Sequence, residues 1–358
     1  MVLDFAKEAI QNSSAYSINF DDLRAGKANI KVFGCGGAGC NMTTWLFNKG
    51  INGATIYGIN TDALHLSITK GDDKILIGKE LTRGLGCGGF PAKGREAAKE
   101  ALSELKKAVG NADMVFVCAG MGGGTGTGSA PVVAQLAKES GSVVIGVVTM
   151  PFECEKARID KAEFGLQELR EVADTVIVID NNRLVDIAGN LPMEQAFAVA
   201  NELVSTMIKG IVETITLPSL INLDYADVSA IMKGGDVAVI GVGESDSSMR
   251  VDEAVRQALT HPLLDVDYRG ATGALIHITC GPDFKLEEFS GVGQLVTENL
   301  SAEAQVIMGA RINKDFGNKV RVITIMTGVK SPYVLGRERE PAPGARSEMS
   351  DLGIEVFR

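Results

Sequence analysis

The chain has 358 residues, 45% hydrophobic and 22% charged, with a net charge of −10; that is enough apolar material for a sizeable core and for two packed units. The acidic balance argues against a phosphodiester partner, so no nucleic acid is expected. No run reaches the roughly 18 apolar residues of a direct membrane span, and the start lacks a signal peptide's basic segment, so a cytoplasmic protein is expected.

Residues 1–27 read as an N-terminal extension in which Val2, Phe5, Ala6, Ala9 and Ile10 share a helical face. From residue 28, β-branched runs alternate with helical patterns. Strands are expected at 30–33, 55–59, 74–77, 114–119, 143–148 and 175–179, with helices near 39–49, 93–109, 129–139 and 157–172. Continuous apolar strands separated by helices predict an α/β unit over 28–190, a mostly parallel sheet with helices on both faces. A long central helix over 191–217 follows, with Val204, Met207, Ile208, Ile211, Val212 and Ile215 on one broad apolar face. Pro192 suits its first turn and Pro218 limits its extension. Strands near 237–242, 274–279, 305–310 and 320–327, with helices near 249–260 and 285–300, predict a smaller α+β unit over 218–330. Residues 331–358 are rich in Pro, Gly, Arg and Glu and read as a flexible linker ending in the run DLGIEVFR, Asp351 to Arg358.

Glycine is the compositional anomaly: there are 42 in 358 residues, about 12% where an average chain has about 7%. The glycines cluster after predicted strands, where parallel sheets bind ligands and where backbone N–H groups at a helix start hold phosphate. Three segments fit. The run GCGGAG at 34–39 carries Gly36, Gly37, Ala38 and Gly39, with Cys40 and Asn41 following, and resembles a dinucleotide fingerprint. The run LGCGGFP at 85–91 carries Gly86, Cys87 and Gly88. Either one alone is as readily a tight turn. The third, GMGGGTGTG at 120–128, is more specific. Gly122, Gly123, Gly124, Gly126 and Gly128, interleaved with Thr125 and Thr127, offer repeated N–H donors and hydroxyls to polyphosphate oxygens, which a simple turn does not need. No G-x-x-x-x-G-K-[ST] run occurs, and the kinase His-Arg-Asp run is missing, which excludes those two nucleotide machines. Six cysteines without a C-x-x-C pair, and only three histidines, suit reduced thiols and give no Cys/His metal site.

At these residues the chain closely resembles the FtsZ family, the prokaryotic relatives of tubulin, whose signature is the glycine loop at 122–128. The resemblance covers roughly 28–330. It includes NTD at 60–62 with Asp62, AFAVAN at 196–201, NLDYAD at 222–227 and ATGALIHI at 271–278, while LGIEV at 352–356 is similar to archaeal forms. It implies a tubulin/FtsZ-like fold in which 28–190 binds GTP, 191–217 is the central helix and 218–330 is a GTPase-activating domain. Phe197 and Asn201 lie one helical turn apart; spacing alone favours core packing for Phe197, whereas the resemblance implies that the pair holds guanine and that Asn181 is a further base contact. Glu155 and Arg158 match the family's ribose-contacting acid and its basic companion. The family usually reads E-G-x-x-R, and EKAR at 155–158 is one residue shorter. Asp180 replaces a common proline, and Phe90 a common asparagine.

Asp224 and Asp227 stand three apart at a helix start, where spacing alone favours a capping role. The resemblance implies that Asn222, Asp224 and Asp227 form a catalytic loop that enters a neighbouring subunit's site and positions water for attack on the γ-phosphate. Mg²⁺ is the implied source of charge at the phosphates, and GTP or GDP the implied nucleotide. A site split between two surfaces gives a head-to-tail contact between copies that does not close and so builds a filament. The family places that filament at the midcell division ring. Leu352, Ile354 and Val356 alternate, so Asp351 to Arg358 offers an apolar edge, implied by the resemblance to meet a membrane-anchoring division protein. Two rivals are weaker. A dinucleotide-dependent oxidoreductase built on 34–39 leaves the second glycine loop and 222–227 unexplained. A scaffold that binds GTP with little hydrolysis is disfavoured by intact Asn222, Asp224 and Asp227.

Overall fold

The computed structural model describes residues 28–217, 219–221, 223–233, 238–260, 268–298 and 300–329. The expectations for 1–27, for Asn222 and for 331–358, including Asp351 to Arg358, lie outside the described residues.

The first sheet is built from β1 (Ile30–Cys35), β2 (Ala54–Asn60), β3 (Asp73–Leu76), β4 (Met114–Gly120), β5 (Val143–Met150) and β6 (Thr175–Asp180). The strands pair in parallel in the order β3-β2-β1-β4-β5-β6. The order reverses between β1 and β4, so the crevice of this doubly wound sheet opens beyond the carboxyl ends of those two strands. β5, VVIGVVTM, is buried along its whole length, which is why it reads as a continuous apolar run rather than an alternation.

Helices cover both faces: α1 (Gly36–Lys49), α2 (Ala63–Ile68), α3 (Lys79–Thr82), α4 (Pro91–Glu100), α5 (Leu102–Val109), α6 (Thr125–Glu139), α7 (Ile159–Val172) and α8 (Asn181–Ala188). The single helix expected at 93–109 is two, parted at Ala101, whose φ of −97° and ψ of 16° leave the helical region. More consequentially, α1 begins at Gly36 rather than 39, and α6 at Thr125 rather than 129. Glycine-rich stretches have poor helix propensity, but here tertiary packing overrides it. A Cβ on Gly39 would collide with the Cys118 carbonyl, and one on Gly128 with the Pro91 carbonyl. Glycine lets these first turns press against the neighbouring backbone.

The helix α9 (Met193–Thr216) runs 24 residues, about 36 Å at 1.5 Å per residue. Its apolar face shares one core with α1, with Ile30, Phe116 and Ile145 of the first sheet, and with Ile240, Leu275 and Ile323 of a second sheet. That second sheet contains β7 (Ala238–Ser245), β8 (Gly273–Cys280), β9 (Gln305–Ile312) and β10 (Val320–Thr327), in the order β7-β10-β8-β9. β10 is antiparallel to both neighbours, and β8 pairs with β9 in parallel. Its outer face is covered by α11 (Arg250–Leu259) and α12 (Leu286–Thr297), after the shorter α10 (Tyr225–Lys233). The two expected units and the helix between them are therefore present. No helix among the described residues is long and apolar enough to cross a membrane.

Candidate functional site

A cleft of about 750 Å³ opens at the carboxyl ends of β1, β4, β5 and β6. Each strand exit delivers part of its wall. Gly37, Ala38 and Asn41 come from the first turns of α1; Gly123, Gly124, Thr125 and Gly126 follow β4. Beyond β5 the wall continues through Phe152 to Glu155 and Arg158, Asn181 opens α8, and Phe197 and Asn201 project from α9. The cleft thus gathers twelve residues singled out from the sequence, contributed by segments from Gly37 to Asn201.

The remaining glycine-loop residues stand behind this wall. Gly36 has φ +71°, and a Cβ there would lie 2.6 Å from the Gly126 nitrogen, so the two glycine loops press on each other. Gly122 has φ +92°; its Cβ would meet the Arg158 carbonyl at 2.8 Å. Thr127 is fully buried and its hydroxyl accepts the Gly122 N–H at 2.9 Å, so it braces the loop instead of lining the cleft. Gly39 and Gly128 are the packing points already described. Cys40 is buried, its thiol pushed up to about 11 by burial, and it donates weakly to the Gly34 and Ile59 carbonyls at 3.5 and 3.6 Å. Asp62 accepts the His65 N–H at 3.0 Å as the N-cap of α2. Gly86, Cys87 and Gly88 belong to a turn seated on Gly124, whose Cβ would come within 2.7 Å of the Cys87 Cβ. Cys87 reaches Thr61 Oγ1 at 3.4 Å, and Thr61 Oγ1 lies 2.7 Å from Thr125 Oγ1.

The shortened EKAR spacing has a structural counterpart. Residues Glu153–Arg158 form a 3₁₀ helix, and at about three residues per turn side chains three apart eclipse. Arg158 therefore donates to Glu155 Oε1 at 2.6 Å, while Glu155 Oε2 accepts the Phe152 N–H at 3.2 Å. Both residues still line the cleft. Asp180, in place of a proline, accepts the Asn182 N–H at 2.8 Å and caps α8. Phe197 is 38% exposed despite its helical, apolar setting, and its ring meets Phe152 edge-on at 6.1 Å. Sequence reasoning passed over Phe152, Trp45, His65 and Glu194, which also line the cleft. The aromatic at 152, directly after a strand exit and Pro151, was the available signal; the others carry none.

The acids lie elsewhere. Asp227 N–H donates to Asp224 Oδ1 at 2.8 Å and Asp224 N–H to Asp227 Oδ2 at 3.3 Å, a reciprocal cap on α10. The capping role favoured by spacing is real, and it leaves each carboxylate one oxygen outside this pair. Tyr225 Oη donates to the Asp113 carbonyl, just before β4, at 2.8 Å, and Thr175 Oγ1 at the start of β6 donates to the Met232 carbonyl at 2.7 Å. Ile221 and Ala310 exchange backbone bonds of 3.1 Å, which ties the loop to β9. The acid loop is therefore fixed at the amino ends of the strands whose carboxyl ends carry the cleft.

Comparison with known proteins agrees with this geometry. Residues 29–189 match the Tubulin/FtsZ family GTPase domain, and residues 236–330 the FtsZ family C-terminal domain. The chain is 53% identical over 344 residues to Cell division protein FtsZ 2 of Methanocaldococcus jannaschii, covering 95% of this chain and 90% of that one. It is 51% identical over 354 residues to Cell division protein FtsZ 2 of Halobacterium salinarum, covering 98% and 90%. An empty FtsZ dimer structure from M. jannaschii superposes with a TM-score of 0.81 at 50% identity, covering 89% of this chain and 92% of that chain. CetZ2 from Haloferax volcanii, in a GTPγS-bound protofilament, shares the fold with a TM-score of 0.74 at 22% identity, covering 86% of this chain and 95% of that chain. Two family models, half-identical relatives along almost the full length and a cleft with a glycine-rich wall converge: the chain belongs to the FtsZ family of tubulin-like GTPases and is a GTP-binding, GTP-hydrolysing, self-assembling cytoskeletal protein of cell division.

Proposed function

We propose that the cleft holds GTP or GDP with guanine between Phe197, Asn201 and Asn181, ribose at Glu155, and phosphates along Gly37, Ala38 and Gly123 to Gly126. Asp224 and Asp227, with Asn222, serve the nucleotide of the next copy in a head-to-tail filament. The observation that carries this reading is the placement of cleft and acids at opposite ends of one parallel sheet. β4 alone contributes seven residues between them, about 23 Å at 3.3 Å per residue, far beyond the reach of a carboxylate. The division of labour is then 28–190 for nucleotide, 191–217 as connecting helix and 218–330 for activation of the neighbouring site.

Magnesium fits the donors at hand. Among the described residues no group of three or more His, Cys, Asp or Glu could cage an ion, and Mg²⁺ characteristically keeps waters and binds through substrate phosphates. Thr125, which lines the cleft and whose hydroxyl is braced by Thr61 Oγ1 at 2.7 Å, is a protein oxygen that would help hold it. When bound, the ion neutralises phosphate charge. The acids' part is to orient and polarise water, since phosphoryl transfer depends mainly on positioning and charge.

The relatives are named as cell division proteins, which supports placing the filament in the cytoplasm at the midcell division site. We assign Asp351 to Arg358 as the peptide that meets a membrane-anchoring division protein, on the alternation of Leu352, Ile354 and Val356. The central test is GTP turnover measured across protein concentration beside light scattering. A threshold with cooperative onset is expected; turnover strictly proportional to concentration, without assembly, refutes the shared site. Asp227→Ala should still bind GTP and form longer-lived filaments, and unchanged turnover in that variant removes Asp227 from the chemistry.

A further inference from the structure

Residues 87–90 form a turn with Gly88 at φ +60° and Gly89 at φ +76°, closed by the Phe90 N–H donating to the Cys87 carbonyl at 3.2 Å. Two successive positive φ values are affordable only because both residues are glycine. One flank of the turn is anchored through Cys87 to Thr61, beyond the end of β2. On the other flank Lys161, in the first turn of α7, donates from Nζ to the Gly89 carbonyl at 2.7 Å. The same ammonium lies 5.5 Å from the centroid of the Phe90 ring, with Lys93 Nζ at 5.9 Å from that ring. This gives a purpose to an aromatic side chain that is 58% exposed.

The turn sits directly on the cleft wall. A Cβ on Gly124, which lines the cleft, would lie 2.9 Å from the Phe90 nitrogen and 3.2 Å from the Gly89 nitrogen. The N–H groups of Gly88 and Gly89 have no hydrogen-bond partner among the described residues. Strand order sets which part of a nucleotide is near. The base-side residues Asn181 and Phe152 follow β6 and β5, the glycine loop follows β4, and the turn is anchored at the far side by Thr61. A nucleotide laid along that order, base first, brings its terminal phosphate to Gly124 and this turn.

We propose that Lys161 is a positioning residue for the terminal phosphate: by holding the Gly89 carbonyl, with Phe90 as its second partner, it locks the 87–90 turn against Gly124 and so favours GTP over GDP. The inference rests on the phosphate-cradle reading of the glycine loop. α7 is suited to the task because it already packs on that loop, with the Arg158 carbonyl against Gly122 and Gly165 against Thr127. The lock needs a cationic donor of the right length, and neither a merely apolar side chain nor a shorter one supplies it.

The test uses the full chain at concentrations below assembly, with displacement of a fluorescent guanine nucleotide by GTP or GDP. Losing a hydrogen bond from a charged donor should make Lys161→Met bind GTP about tenfold more weakly while GDP changes less than about twofold. Lys161→Arg should keep the wild-type preference. Equal weakening for both nucleotides, or no change for either, overturns the proposal. If wild type itself shows no displacement by either nucleotide, the phosphate-cradle reading fails instead, so the two failures are distinguishable. Thermal unfolding without nucleotide separates a folding defect: a Lys161→Met chain that melts like wild type yet loses the preference confirms positioning, and one whose lost preference merely tracks lost stability refutes it.

Discussion

Among the glycines around the cleft, two can be changed without disturbing the protein behind them. A Cβ on Gly37 meets nothing within 4 Å, and one on Gly123 meets only the Gly120 carbonyl at 4.0 Å. By contrast, a Cβ on Gly124 or Gly126 would fall 2.7–2.9 Å from its nearest neighbour. Gly37→Ala therefore isolates the approach of a ligand. Gly37 is the second residue of α1, so alanine there should raise stability by up to about 1 kcal/mol, a rise of roughly 2–4 °C in a domain of this size. In the same variant the new methyl stands where, in the proposed reading, phosphate meets backbone N–H groups. Hydrogen bonds to a charged acceptor contribute about 1.5–3 kcal/mol each, so losing one weakens GTP by roughly 10- to 150-fold. Melting of the nucleotide-free chain and GTP displacement below the assembly threshold read the two effects separately. The signs are opposed, which makes the experiment decisive. A raised melting point with unchanged GTP affinity refutes phosphate binding at this turn, and a lowered melting point refutes the reading of open space around Gly37. Gly123→Ala should lose affinity in the same way with stability near wild type.

His277 is buried in β8 on the face turned toward α9, with both ring nitrogens lacking a partner among the described residues. Burial first, and the Arg311 charge second, hold its pKa down to about 4. Because the folded value lies below the unfolded one, its contribution is complete above about pH 6.5 and is lost as pH falls toward 4, amounting to about 3 kcal/mol in all. Urea unfolding at pH 7 and pH 5 should show wild type losing about 2 kcal/mol more than His277→Leu; parallel losses refute it. Arg250 is buried and ties together α11, α12 and the approach to β10, bonding Glu288 at 2.7 and 3.0 Å, Asp283 at 2.9 Å and the Asn318 carbonyl at 2.6 Å. Arg250→Ala should cost about 3–5 kcal/mol in denaturant unfolding because it strands Glu288, and Arg250→Lys should recover little of that because lysine lacks the planar fork; a loss below about 1 kcal/mol refutes the network's weight.

The parts of this molecule governed by periodicity were legible from the residues. β-branched runs such as VVIGVVTM and the three-and-four spacing of α9 report burial directly, so strand count, sheet class and the long helix follow from them. What periodicity does not report is contact between distant backbone. The helix starts at Gly36 and Thr125 were hidden because glycine has poor propensity, and only the facing carbonyls of Cys118 and Pro91 explain why glycine is required there. The same blindness hid where Thr127 stands: it is buried behind the cleft wall, with its hydroxyl accepting the Gly122 N–H. His65 and Glu194 reach the cleft through tertiary placement of α2 and α9, which no local pattern encodes.

A split site also requires that the two ends of the subunit be able to bury one another, and the exposed side chains agree with that. At the cleft end, α2 and the following loops expose Leu64, Ile68 and Leu85, each more than 70% accessible. At the acid end Leu220 is similarly exposed, two residues before the loop that carries Asp224. Large apolar side chains left in water at both poles of one sheet are costly singly, and they are relieved together when one pole meets the other. Because the poles differ, the contact is heterologous and repeats without closing. In the split site proposed above, the contact that buries these leucines would also bring a neighbour's Asp224 and Asp227 to the glycine loop, making assembly and hydrolysis one event rather than two linked ones. Substitution of Leu85 or Leu220 by a charged residue should therefore lower turnover only as far as it lowers assembly, leaving nucleotide binding by the isolated subunit intact.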